Sequence, residues 1–264
     1  GAETERLGGD VDVPETGCST LVCQDRQLPP ELTVDALKTA WKEDRKNDRR
    51  NLLDDSGELR PGPLPEAAVD FRKQWAQNRV LKVGFFGGNA RVRDKVRRHA
   101  ETWHEVVNVR FKFGTAGPYE IRISFDPGRG SWSYLGTDNL LIPTNQPTMN
   151  FGWVTATSGE DRDRAVILHE FGHALSMIHE HQSPAADGVI NWNRPVVYRA
   201  MWDSAGWSAR DVDEQIFRRY TRSQTQFSAL DRESIMMYSY PPDWTIDGFH
   251  TPWNSQLSQT DRQF

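Results

Sequence analysis

Apolar positions change their rhythm several times along this chain, and each rhythm predicts an element. Val34, Leu37 and Trp41 recur at spacings of three and four, so a helix is expected there with Thr33 as its N-cap. Beyond Trp41 the helix becomes almost wholly charged through Arg50, the composition of a solvated face. Residues 79–86 are rich in β-branched and aromatic side chains and end at Gly87-Gly88, the pattern of a strand. Asn89 then caps a helix on which Val92, Val96, Ala100, Trp103 and Val107 form one stripe. Residues 109–113 and 120–125 alternate apolar with polar, as half-buried strands do. A Gly-, Ser- and aromatic-rich stretch over 128–136 precedes two further strand candidates, 140–142 and 148–154. A second helix is expected from Ser158, where Ser158-x-x-Asp161 is a relative of the capping box, through His173. Past residue 180 the chain is loop-rich, with short helices expected over 195–202 and 211–220.

The first 74 residues differ in character from the rest. Gly8, Gly9, Pro14, Gly17, Pro29 and Pro30 interrupt a polar opening, and Arg60-Pro-Gly-Pro-Leu-Pro65 reads as a stiff extended linker. Residues 1–74 carry 11 basic and 16 acidic side chains, whereas the remaining residues carry 21 of each. We therefore expect an N-terminal extension over 1–74, with its linker at 60–65, and a compact domain over 75–264. The formal net charge of −5 over 264 residues argues against a protein that coats nucleic acid. No apolar run approaches the roughly 18 residues that a membrane span needs. Cys18 and Cys23 are the only cysteines, too few for a multi-bridge scaffold. No basic segment followed by an apolar stretch opens the sequence, so no secretory signal is read in it.

The chemistry concentrates in one stretch, His169-Glu170-Phe171-Gly172-His173-Ala174-Leu175-Ser176-Met177-Ile178-His179-Glu180-His181. On a helix His169 and His173 lie one turn apart on one face, so both imidazoles can reach a single metal ion. Glu170 sits about 100° round the helix, where it can handle the proton of a water without ligating the metal. His179 can join only if the helix stops near Ser176 and the chain turns sharply. A chance His-Glu-x-x-His arises in on the order of one in a hundred chains of this composition, and a third histidine makes coincidence rarer still. Three imidazoles and one open position describe a catalytic zinc site rather than a closed structural one. His181 is expected as a loop residue beside the site, and His99 and His104 as ordinary helix-face residues.

His-Glu-x-x-His-x-x-Ser-x-x-His-Glu resembles the zinc signature of the metzincin metallopeptidases in its astacin-type form. Ser234-Ile235-Met236-Met237-Tyr238 resembles the astacin Met-turn, and Ser131-Trp132-Ser133-Tyr134-Leu135-Gly136 resembles a Ser-Tyr-Val-Gly stretch of that family. The resemblance covers about residues 75–264. It departs from the family at Ser176, where a Gly is usual, at Met237, where a His is frequent, and in the absence of cysteine from the catalytic portion.

The resemblance implies an α+β, metzincin-like fold. A mixed twisted β-sheet is backed by two long helices, with a loop-rich C-terminal subdomain and an N-terminal extension. It implies a zinc-dependent endopeptidase with Zn2+ on His169, His173 and His179, Glu170 as general base, Met236 beneath the metal and Tyr238 as a switchable ligand. Thr148, Met149, Asn150, Phe151, Gly152 and Trp153 are expected to form the edge strand that pairs with an extended polypeptide substrate. The extension is expected to act as a prosegment that keeps the zymogen latent. Its inhibitory zinc ligand is Asp10, within Leu7-Gly8-Gly9-Asp10, or a thiolate of Cys18 or Cys23, or neither, with the two cysteines joined in a small disulfide loop or uninvolved. A latent precursor suits a secreted monomer, although the scarcity of cysteine also suits the cytoplasm. The rival reading from another class is a catalytically silent binding protein that keeps the fold and is plugged by its own N-terminus.

Overall fold

The computed structural model describes residues 23–48, 51–60, 73–220 and 229–263. Asp10, Cys18 and the linker at 60–65, apart from Arg60, lie outside these residues.

Among the described residues six strands form one sheet: β1 (Gln24–Arg26), β2 (Val80–Phe86), β3 (Arg110–Phe113), β4 (Ile121–Ser124), β5 (Ser131–Tyr134) and β6 (Met149–Phe151). Their spatial order is β1-β5-β6-β4-β2-β3. All neighbours run parallel except β5 and β6, which pair antiparallel with Trp132 opposite Asn150. Parallel ladders are buried on both faces, and β4 obeys this: Ile121, Arg122 and Ile123 are all buried. The alternation of β4 correctly predicts a strand but wrongly predicts a wet face. The Arg122 guanidinium donates to the carbonyls of Tyr119 (2.7 Å), Ile142 (2.9 Å) and Gln146 (2.7 Å), so the loop that covers it satisfies its charge-bearing donors.

Helix α2 (Ala90–Ala100) begins where expected, with the Asn89 carboxamide accepting from the Val92 N–H at 3.0 Å. Helix α3 (Glu160–Ala174) packs against α2 and against β5 and β6. The core between these layers includes Leu81, Val83, Trp103, Ile121, Met149, Phe151, Ile167, Leu168 and Phe171. A second core of Val197, Met201, Trp207, Ile216, Tyr240 and Trp244 holds the C-terminal half, where α4 (Arg194–Ala205) and the short α5 (Ala209–Val212) lie. The expected helix over 211–220 is replaced by α5 and one wide turn, Asp213–Phe217. Among the described residues no helix is long and apolar enough to cross a membrane.

Several boundaries differ from the sequence reading for identifiable reasons. Helix α1 (Thr33–Glu43) has Leu32, not Thr33, at its N-cap, because a 3-10 turn starts at Pro30 and the Thr33 hydroxyl donates back to the Pro30 carbonyl at 2.7 Å. It stops at Glu43 because the Asp44 side chain accepts from the Lys46 N–H at 2.9 Å and opens a new turn. Residues 140–142 are not a strand: Leu140 and Leu141 fall in the 3-10 segment Gly136–Leu141, where Asn139 donates to the carbonyls of Tyr134 (3.1 Å) and Gly136 (2.7 Å). The strand in this region is β5, hidden in the Gly- and Ser-rich stretch. The six residues expected as an edge strand contain β6 instead, which is paired on both sides and has no edge to offer. The edge is β5, and β1 from the N-terminal segment covers it.

Candidate functional site

The last turns of α3 carry His169, Glu170 and His173, all buried. The helix ends at Ala174, and Ser176 adopts φ +81, the left-handed conformation that turns the chain. A non-glycine residue there costs on the order of 1 kcal/mol, and two tethers hold it. The Ser176 hydroxyl donates to the Lys73 carbonyl, and the Trp75 indole N–H donates to the Ala174 carbonyl at 2.7 Å. The turn brings His179 back over the helix, and the Met177 N–H pins it by donating to the Gly172 carbonyl at 2.9 Å.

Three imidazoles meet at one point. Nε2 of His179 lies 3.1 Å from Nε2 of His173 and 3.2 Å from Nε2 of His169. The other ring nitrogens face acceptors: Nδ1 of His169 is 2.8 Å from the Ile235 carbonyl, that of His173 is 2.8 Å from the Met177 carbonyl, and that of His179 is 3.3 Å from Oε1 of Gln182. Each Nδ1 therefore carries the proton, and each Nε2 turns a lone pair toward the other two. Burial drives the His169 imidazolium down to a pKa of about 3 and that of His179 well below its usual value, with the neighbouring His173 adding to both. Neutral rings with converging lone pairs repel one another unless a cation lies between them. Four ligands at 2.0–2.1 Å around zinc stand about 3.3 Å apart, so the donor set fits that ion.

The floor of this centre is the Met-turn. Met236 is 1% exposed, and a Cβ added at Gly172 would lie 2.4 Å from its sulfur, so a larger residue there would push the methionine side chain aside. Asp261, a residue the sequence reading passed over, fixes the turn from below. Its carboxylate accepts from the Ser234 hydroxyl at 2.8 Å, the Ile235 N–H at 2.7 Å and the Ser258 N–H at 2.9 Å. Ile235 in turn receives the Nδ1 proton of His169. No motif announces Asp261, because it acts across the fold through a backbone carbonyl.

Cys23 reaches the same centre from the N-terminal segment. Its Sγ and the ligand nitrogens of His169, His173 and His179 lie within 4.8 Å of one another. The thiol, which is not disulfide-bonded, donates to Oε2 of Glu170 at 3.4 Å, and the Tyr238 hydroxyl donates to the Cys23 carbonyl. The Tyr238 ring packs over His179 and His181, with centroids 4.3 Å from each.

Other expected residues fall outside this cluster. His181 is buried beside His179, and its Nε2 lies 3.2 Å from the Gln215 carbonyl. Glu180 accepts from the Asp231 N–H at 3.0 Å, and burial, aided by the carboxylates of Asp231 and Asp261, pushes its carboxyl up to about 7. His99 lies 2.8 Å from Glu160, and His104 accepts from the Phe111 N–H at 2.9 Å. Thr148, Met149, Asn150 and Phe151 are buried in the sheet, where the Asn150 carboxamide bonds Ser124, Asp126 and Gly130. Gly152 donates its N–H to the Gly130 carbonyl at 3.0 Å. Of the six, Trp153 alone lines the cleft beside His169 and Glu170, with Trp253 facing it from the C-terminal tail.

Comparison with known proteins agrees with this geometry. The profile of the peptidase family described as "Astacin" matches residues 68–243. A solved structure of myroilysin is 43% identical, with a TM-score of 0.70, covering 72% of this chain and 92% of that one. A second myroilysin crystal structure is 37% identical, with a TM-score of 0.57, covering 92% of this chain and 96% of that one. A hatching-enzyme zinc-protease of the medaka fish Oryzias latipes is 16% identical with a TM-score of 0.47, covering 69% of this chain and 85% of that one. No curated protein sequence matches. The chain belongs to the astacin family of peptidases and is a zinc metalloendopeptidase.

Proposed function

We propose that peptide bonds are hydrolysed at the centre formed by His169, His173 and His179, and that in the full chain Cys23 keeps this centre closed until the N-terminal segment leaves. The convergence of three neutral Nε2 atoms on one point carries the catalytic half of the reading. Zinc bound there would supply a Lewis acid that polarises the scissile carbonyl and acidifies a water. Glu170, one position after the first ligand, takes the proton of the attacking water and returns it to the leaving amine. Tyr238, once freed from the Cys23 carbonyl, donates its hydroxyl proton to the oxygen on which charge develops. Met236 supports the imidazoles from below and has no chemical part.

Two contacts support latency. A thiolate is a strong zinc ligand, and Cys23 offers one at the open side of the trio, so Cys23 is preferred to Asp10 and Cys18 as the inhibitory ligand. Strand β1 occupies the edge of β5, where an extended substrate would add a strand, and Arg26 lies over the Trp132 ring at 4.6 Å. On this reading residues 1–74 are the prosegment and 75–264 the peptidase domain. The enzyme is read as a monomer that acts on polypeptides after export.

The test is a casein assay with and without a chelator, on the zinc-loaded full chain and on the chain cleaved within residues 60–74. Cleavage should raise chelator-sensitive turnover at least tenfold, and Cys23→Ala should raise the activity of the uncut chain. Equal activity of cut and uncut protein would remove latency, and no turnover in either would leave the binding-protein reading.

A further inference from the structure

We infer that the cleft beside His169 and Glu170 selects a bulky apolar side chain at one of the two residues flanking the scissile bond. This rests on the catalytic reading above and adds the class of substrate. The cleft opens to solvent and, with that opening included, holds about 410 Å³ of space free of atoms. Its walls come from separated stretches of chain. Ala165 and Val166 lie on α3 one turn before His169, so the wall is continuous with the helix that carries the ligands. Ile235 and Met237 come from the Met-turn, Trp153 from the end of β6, and Trp253 from the C-terminal tail.

Among the described residues the lining carries little charge. Apart from Glu170, His169, Cys23 and Tyr238, which belong to the centre itself, the lining contains no ionisable side chain, and its remaining polar members are Ser239 and Asn254. Asn254 donates to the carbonyls of Arg232 and Ser234, both at 2.9 Å. Among the described residues, Arg162 and Arg164 lie outside the lining and are engaged elsewhere. Arg162 donates to the Trp153 carbonyl at 3.1 Å, and Arg164 donates to the Ser255 carbonyl and to Asp161, both at 2.7 Å. A carboxylate or ammonium entering between two indoles and four aliphatic or thioether walls would lose its hydration with no partner in return. An aromatic or long aliphatic side chain would instead lie against apolar walls.

Trp253 is the wall best suited to testing, because it is 41% exposed, sits on an irregular tail and has no part in the chemistry proposed above. The experiment uses the zinc-loaded chain cleaved within residues 60–74. Casein digestion gives total turnover and, by mass spectrometry, the residues at each cut. Peptide series varied at each flanking position give kcat/KM. At one flanking position Leu, Met, Phe and Trp should be cleaved at least tenfold faster than Asp, Glu and Lys. Trp253→Arg should shift that position at least tenfold toward Glu relative to Phe, and Trp253→Ala should narrow the gap between Phe and Ala several-fold. Casein turnover with no apolar preference at either position, or with acidic residues preferred by the unsubstituted enzyme, overturns the pocket while leaving the peptidase reading in place. A Trp253→Arg enzyme that turns over casein with unchanged preferences overturns it equally.

Discussion

The segment 23–60 and the body 73–263 are held by different physics. The body has two apolar cores, each joining elements distant in sequence. Among its described residues the segment's own core is Leu37, Ala40 and Leu53. Its attachment is directional instead: the β1–β5 ladder, the ion pair of Glu43 with Arg79 at 3.1 Å, and the Asn47 carboxamide, which donates to the carbonyls of Ala40 (2.8 Å) and Gln74 (3.0 Å) and accepts from the Gln74 N–H (3.2 Å). A stretch with so little apolar burial does not fold alone. Tethered through the linker, it meets its site at a high effective concentration, and a cut in the linker removes that advantage. Among the described residues the segment gives the body's two cores only Cys23, so the body is expected to survive such a cut. The difference suits a device that must inhibit reliably and then leave.

Three substitutions probe this contrast. Glu170→Gln acts in the body on the chemistry alone. Turnover of the cleaved chain should fall about 10²–10⁴-fold while zinc content by elemental analysis stays at one per chain, and undiminished hydrolysis would end the general-base assignment. Asp261→Ala acts in the body on geometry. A methyl group accepts none of the three bonds that the carboxylate takes, so the Met-turn and the Ile235 carbonyl that orients His169 should loosen. Zinc affinity measured by competition with a chromophoric chelator should weaken about tenfold or more, and unaltered affinity would sever Asp261 from the metal centre. Asn47→Ala acts in the segment. Loss of its buried bonds should weaken docking by about 1–3 kcal/mol, seen as faster amide exchange across α1 with α3 unaltered and as higher activity of the uncut chain. Equal acceleration in α3 would mean that segment and body unfold together, contrary to the comparison.

Much of the centre was legible before any coordinates because its signals are local. The four-residue spacing of His169 and His173 places two rings on one helical face whatever surrounds them, and Asn89 caps α2 through a bond three residues away. Strand β5 was legible in principle, since Ser131-Trp132-Ser133-Tyr134 alternates with period two, but its flanking glycines hid it. Trp253 was not legible, being one of ten tryptophans with no motif around it. Arg122 was misplaced by a sound rule, because its burial depends on a loop some twenty residues later in the chain.

By itself, then, the sequence determined the two imidazoles and the proposed general base that share one helix, since periodicity and capping act within a few residues. Tertiary structure decided which strand forms the edge, that Cys23 approaches the trio, and what lines the cleft. Those outcomes depend on pairing between segments far apart in the chain: β1 with β5 more than a hundred residues later, Asp261 with the Met-turn, and Trp253 with α3. Nothing within a short window of residues encodes such meetings; they follow from which surfaces remain to be buried once the local elements have formed.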